Sequence, residues 1–321
     1  MALDSTPWFV GGGAQHSPEV ARALAYAATT GAEGVSGIGD LKVQAQAVPN
    51  GTVRVLPGAG LLLNRYAGGT GQTYSLRNAT QTDLTVTATG SGGGRTDLVV
   101  ARVLDPQYEG TAPADPTTFQ YSRVEIIEGV PAATKTAKEL NLSYPAIALA
   151  RITLPASTAT VTASMITDLR RVAQPRRERA MMTVFPSSTL SMPTAGYSSW
   201  PLTTATRPAV SVPIWATKVD IVAHVTGVKF TKVSAVDTVA GIRTGFGSSL
   251  PAENSILIQD AEDSGGRYSY TWVGTHTVTE AMRGTDQVVN IQAVRSSGTG
   301  LWVADYQTSI VLDWEFSEGA Q

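Results

Sequence analysis

The stretch from Ser309 to Phe316 alternates, with Ile310, Leu312, Trp314 and Phe316 on one side and Asp313 and Glu315 on the other. Strand side chains change face with a period of two, so this pattern fits a half-buried β-strand and excludes an amphipathic helix. Residues 218–225 behave alike, with the odd positions the more apolar. Shorter strand-like runs fall at 52–55, 72–77, 84–89, 97–104, 122–128, 146–154, 255–258, 268–273 and 288–294. Turn signals separate them: Asn50-Gly51, Pro57-Gly58, Gly90 to Gly94, Gly227, Gly265-Gly266, Gly284 and Gly298. The chain has 31 glycines and 17 prolines in 321 residues, as many short strands joined by tight turns require. The predicted fold class is mainly β, ending in an antiparallel β-sandwich of jelly-roll type.

One helix precedes the strands. Ser17 is a good N-cap, Pro18 suits the first helical position, and Glu19 favours the positive end of the dipole. The Ala-rich run 20–28 ends near Gly31, which predicts a helix over 18–30. Gly11-Gly12-Gly13 reads as a joint, so 1–40 is expected to be an N-terminal attachment segment. A β-rich domain over 41–169 follows, closing on a helical turn at 163–169. Residues 170–182 carry five arginines around Pro175 and few apolar anchors. They read as a linker, either a solvated connector or a basic patch for an acidic partner. The head domain is then 183–321.

Composition narrows the function classes. Charged residues make up 16% and the net charge is −2, so no global field draws the chain to nucleic acid. There is no cysteine, which removes disulfides, thiolate nucleophiles and thiolate metal sites together. The first residues lack the basic start and apolar run of a signal peptide. The longest apolar runs are too short to cross a bilayer. Synthesis in the cytoplasm without membrane insertion is the expectation.

Catalytic patterns are sparse. No Gly-x-Ser-x-Gly elbow occurs, and His16, His224 and His276 are the only histidines. Gly68 to Thr73 lacks the Lys-Ser/Thr ending of a phosphate loop. Asp260, Glu262 and Asp263 in one loop, or Asp313 with Glu315 on one strand face, could supply paired carboxylates for glycoside hydrolysis. Acids so placed are more often simply solvated. No catalytic residue, cofactor or metal is assigned.

Aromatic residues are the more suggestive feature. Tyr268, Tyr270 and Trp272 occupy alternate positions of one strand and share a face. Trp302 and Tyr306 flank Asp305 in a later loop, close to Gly298 and Gly300. Such rings stack on sugar faces, with Arg267 or Asp305 supplying hydrogen bonds. They serve equally well as a core stripe. Alternation alone leaves both readings open.

Residues 48–172 carry an ordered set of segments: VRVLPGAGLLLN, SGGGRTDLVVARVLD, IIEGVPAA, YPAIALARITLP and ASMITDLRR. Together they resemble the domain that opens many tail-fibre, minor tail and baseplate adaptor proteins of siphophages. The resemblance implies a small β-domain that mounts a homotrimer on the tail tip and carries a variable C-terminal head. It places the chain in the virion, with other tail proteins as partners of the N-terminal region. Host-surface glycan binding by the head follows from position in that architecture, not from its residues. Within the matched segments, Asp97 and Asp168 are expected to pair with Arg95, Arg170 or Arg171 as structural ion pairs. Two other roles stay open: a purely structural tail or baseplate component, and a polysaccharide depolymerase.

Overall fold

The computed structural model describes residues 17–231, 237–249, 255–259 and 265–319. The chain divides into two compact units, the first running to Pro175 and the second from Arg176 to Gly319. Every strand pair among the described residues is antiparallel. The fold is mainly β, with one α-helix among the described residues, as the sequence predicts.

The first unit opens with α1 (Pro18–Thr29). Ser17 Oγ accepts from the Val20 amide at 3.3 Å, and Thr30 closes the helix in the left-handed conformation. Ten strands follow: β1 (Gly34–Val35), β2 (Val43–Ala45), β3 (Thr52–Val55), β4 (Gly58–Leu63), β5 (Thr73–Asn78), β6 (Thr82–Thr85), β7 (Arg95–Val103), β8 (Ser122–Ile127), β9 (Ala146–Leu154) and β10 (Ile166–Asp168). They form three sheets, β1-β4-β5, β2-β3-β6 and β10-β9-β7-β8. The near-continuous apolar run of β7 has a plain cause, because both of its faces are buried. Val99, Ala101 and Val103 join the main core with Val53, Val55, Leu62 and Ile152. Leu98 and Val100 meet a smaller cluster containing Val130, Ala137 and Ala146.

The segment expected to stand apart at 1–40 is, from Ser17 onward, built into this unit. Arg22 of α1 is buried and donates to Gln72 Oε1 (2.6 Å), Asp105 Oδ2 (3.2 Å) and Gln107 Oε1 (2.9 Å). A short Ala-rich helix needs such a tertiary anchor. Gly34 packs so closely that a Cβ there would collide with the Arg171 carbonyl oxygen. Residues 1–16, with the expected glycine joint and His16, lie outside the described residues. The helical turn expected at 163–169 is a 3-10 turn at Ala163–Met165 that passes into β10. Pairing of Ile166–Asp168 with β9 overrides the local preference there.

The second unit contains β11 (Arg177–Val184), β12 (Leu190–Ser191), β13 (Ser198–Ser199), β14 (Ala209–Ser211), β15 (Lys218–Thr231), β16 (Thr238–Phe246), β17 (Ser255–Gln259), β18 (Arg267–Thr277), β19 (Asp286–Ser297), β20 (Leu301–Ala304) and β21 (Ser309–Ser317). One sheet orders β11-β21-β15-β20-β12, with β18 also paired to β15. The other orders β13-β19-β16-β17, with β14 also on β19. Their facing sides supply a single core, so the unit is a β-sandwich. Val219, Ile221, Ala223, Val225, Ile310, Leu312 and Phe316 come from the first sheet; Ala240, Ile242, Phe246, Val289 and Ile291 come from the second. Phe246 meets Phe316 edge to face at 5.8 Å, tying the sheets together.

Gly227 does not end a strand, as its turn signal suggests. It sits in a β-bulge of β15, where the register shifts between Val225 and Val228. The bulge moves the inward face from odd to even positions, so Val228 and Phe230 stay in the core. Its φ of +76° requires glycine, and any Cβ there would collide with the Gln307 carbonyl oxygen.

The stretch 170–182 is not an unattached connector. Arg170 is buried in the first unit, and Arg177–Val184 is a full strand along β21. Acids on the outer face of the last strand, and Glu318 just past its end, explain this. Arg177 reaches Glu315 at 3.0 Å, Arg179 grips both oxygens of Asp313, and Arg176 holds Glu318 at 2.8 Å. Arg179 holds the Asp313 carboxyl below the usual range. The expected strand acid pair, Asp313 with Glu315, is thus committed to arginines.

His276 lies inward on β18, 2% exposed, with Nε2 3.0 Å from Thr244 Oγ1. Burial pushes its imidazole below the ordinary value, against a smaller opposing pull from Asp220. Unfolded, the ring takes up a proton near pH ~6.5. Folded, it does so only at lower pH, so the unfolded state binds more protons in the interval between. This stabilisation is complete above that interval and is lost as pH falls through it. Wild type should therefore lose stability on acidification relative to His276→Asn, by at most about 1.4 kcal/mol per pH unit. Urea midpoints from pH about 7 to about 5.5 measure this, and parallel profiles would contradict it.

Candidate functional site

The aromatic residues singled out in the second unit do not assemble into an exposed platform. Along β18 the even positions point inward, so Tyr268, Tyr270 and Trp272 share a face as predicted, and that face is the core. Trp272 is fully buried, and its Nε1 donates to the Gln292 carbonyl at 3.3 Å. Tyr268 and Tyr270 are half-buried against the same cluster. Trp302 belongs to β20, not to a loop, and is 1% exposed. Its ring lies 5.0 Å from Phe230, and its Nε1 donates to the Tyr270 hydroxyl at 2.9 Å. As a sugar-stacking residue Trp302 is corrected to a core residue, because its strand alternation turns it inward.

Arg267 and Asp305 are turned to each other. Arg267 Nη1 and Nη2 donate to the two Asp305 oxygens at 3.0 and 2.7 Å, and Nη1 also donates to the Gly227 carbonyl at 2.5 Å. The guanidinium holds the Asp305 carboxyl well below the usual range. Asp305 Oδ1 also accepts from the Gln307 amide, and Thr308 Oγ1 accepts from the Asp305 amide. These bonds shape the turn 305–308 between β20 and β21 and staple it to the β15 bulge. At its apex Tyr306 is 83% exposed. Of the seven residues expected to bind ligand, Tyr306 alone combines an aromatic ring with open access. Residues 301–304 are all apolar, so the sequence carried no signal of which positions turn inward; the strand pairing puts Trp302 and Ala304 there.

The residues behind the ordered segments of the first unit are scaffold. Asp97 is fully buried and accepts from Arg95 Nε and Nη2 at 2.7 and 2.9 Å, and from the Gly129 amide at 3.0 Å. Arg170 bonds Asp168 and donates to the carbonyls of Ile38 (2.9 Å) and Asp40 (2.6 Å). Arg171 is exposed, and its part is played by the backbone: its carbonyl accepts from the Val35 amide at 2.8 Å. Sequence reasoning missed Arg102, which is buried, bonded to Glu109 and stacked 3.4 Å from the Tyr144 ring centroid. Two clefts of this unit measure about 550 and about 490 Å³. Lys42, Arg54 and Ile166 line the first; Arg77, Gln120 and Arg123 line the second.

Asp260, Glu262 and Asp263 lie outside the described residues. Among the described residues no group of three or more His, Asp or Glu side chains is gathered as a metal site. No helix among them is long and apolar enough to cross a membrane.

No family model matches the chain, and no curated protein matches it. Among solved structures, the T13 viral particle of IBDV is similar at 10% identity, over 87% of this chain and 71% of that chain, with a TM-score of 0.26. The VP2 subviral particle of infectious bursal disease virus gives 10% identity, 90% and 74% coverage, and a TM-score of 0.23. The Cry4Aa toxin of Bacillus thuringiensis gives 10% identity, 88% and 51% coverage, and a TM-score of 0.16. With TM-scores this low, none of these likenesses bears on what the chain does.

Proposed function

We propose that the chain is a structural protein of a bacteriophage tail tip, mounted through its first unit and presenting its second for contact with the host surface. The observation that carries this reading is the role of the tail-adaptor segments. Asp97, Arg95, Asp168 and Arg170 pin together a rigid scaffold, as a mounting domain requires. Its partners are other tail proteins on the first unit and host glycan on the second. Self-association would multiply weak sites by avidity. Mass spectrometry of purified virions should find the chain as a stoichiometric component. Recovery only in the particle-free lysate would contradict the proposal.

Within this reading the turn 305–308 is the point of host contact, since it holds one exposed ring on a stapled frame. Tyr306→Ala should leave unfolding stability within about 0.5 kcal/mol, as for a surface site, while slowing adsorption of the phage. Unchanged adsorption would favour the second reading. That reading is a tail component whose sandwich contacts only virion proteins, and the inward placing of Trp272 and Trp302 supports it.

A further inference from the structure

The strand β11 pairs with β21 over all eight of its residues, without a bulge, and has no other strand partner among the described residues. Among the described residues it is therefore an edge, with one row of its backbone donors and acceptors outside any ladder. Natural edges are usually blunted by charge, proline or irregularity, and half of this one is not. Arg177, Glu178 and Arg179 guard the first part, but Ala180-Met181-Met182-Thr183-Val184-Phe185 is uncharged and unbroken until Pro186. Met181 is 69% and Phe185 60% exposed, while Met182 and Val184 pack on the sandwich core. An uncharged six-residue run without proline or glycine is the composition that adds strands to itself.

We infer that this edge pairs antiparallel with the same edge of a second copy of the chain, about a two-fold axis at Met182. Three features fix that partner and register. Faces must match across a ladder, so residue numbers facing each other must share parity. Centring on Met182 sets Ala180 against Val184 and Met181 against Thr183 of the second copy, inner with inner and outer with outer. Arg179 then faces the Phe185 ring of the second copy, a contact that suits a cation. Glu178 falls opposite Pro186, which lacks an amide donor and ends the ladder. Arg177, already held by Glu315, lies beyond the pairing. No like charges meet, and a two-fold contact of one patch with itself closes as a dimer. This sets a two-fold contact where the tail-adaptor resemblance implies a three-fold one, and it stands independently of the virion role.

The test uses the full chain at micromolar concentration, with mass read by light scattering. Wild type should have the mass of two chains, and the double variant Met181→Lys, Thr183→Lys the mass of one. Both substituted side chains are exposed, so unchanged far-UV dichroism will show that the variant folds. Because the chain has no cysteine, a mixture of Met181→Cys and Thr183→Cys chains should form a disulfide between copies faster than either variant alone. A wild-type mass of one or three chains, a dimer unaffected by the two lysines, or no preference for the mixed pair would each overturn the inference.

Discussion

Trp302→Ala should lower the unfolding free energy of the second unit by about 3–5 kcal/mol, the usual cost of emptying an aromatic site in a core. The indole packs against Phe230 at 5.0 Å within the sandwich core, and the change also removes the Nε1 donor to the Tyr270 hydroxyl. Five of the six tryptophans lie in the second unit and the sixth is Trp8, so tryptophan fluorescence during urea titration reads this unit. A surface stacking residue would give a loss within about 0.5 kcal/mol. The two roles open to Trp302 by sequence thus differ by several kcal/mol in one experiment. A loss that small would return Trp302 to the candidate site.

Arg170→Ala should cost the first unit about 3–5 kcal/mol, as when one partner of a buried ion pair is removed. The guanidinium satisfies four oxygens at once: two on Asp168, and the carbonyls of Ile38 and Asp40. Its side chain is 1% exposed, so little water replaces it. Hydrogen exchange should show protection lost first around residues 38–41, which the arginine ties to β10 across more than a hundred residues of sequence. Uniform protection with an unchanged midpoint would show that the pair is decorative.

Much of the fold was legible because alternation is a local property. The inward face of β21 and the odd positions of β15 follow from the sequence, and β9 begins and ends where the apolar run does. What escaped was non-local. The arginines at 176, 177 and 179 looked like a solvated linker because Glu318, Glu315 and Asp313 are more than 130 residues away. Gly227 looked like a turn because a bulge and a turn ask the same backbone freedom of glycine. The role of the β18 rings stayed open for a related reason: periodicity says that Tyr268, Tyr270 and Trp272 share a side, but only the opposing sheet decides which side is inside. Arg267 and Asp305 were each expected to offer hydrogen bonds to a ligand, and their mutual pairing could not be read from spacing.

A chain built into the tail, with its second unit turned outward, is the central claim, and a cryo-electron microscopy map of the intact tail reads it directly. The predicted result is density for the first unit against neighbouring tail proteins, with the turn around Tyr306 facing solvent. Density that encloses that turn within other virion proteins, or a tail with no place for the chain, would contradict it.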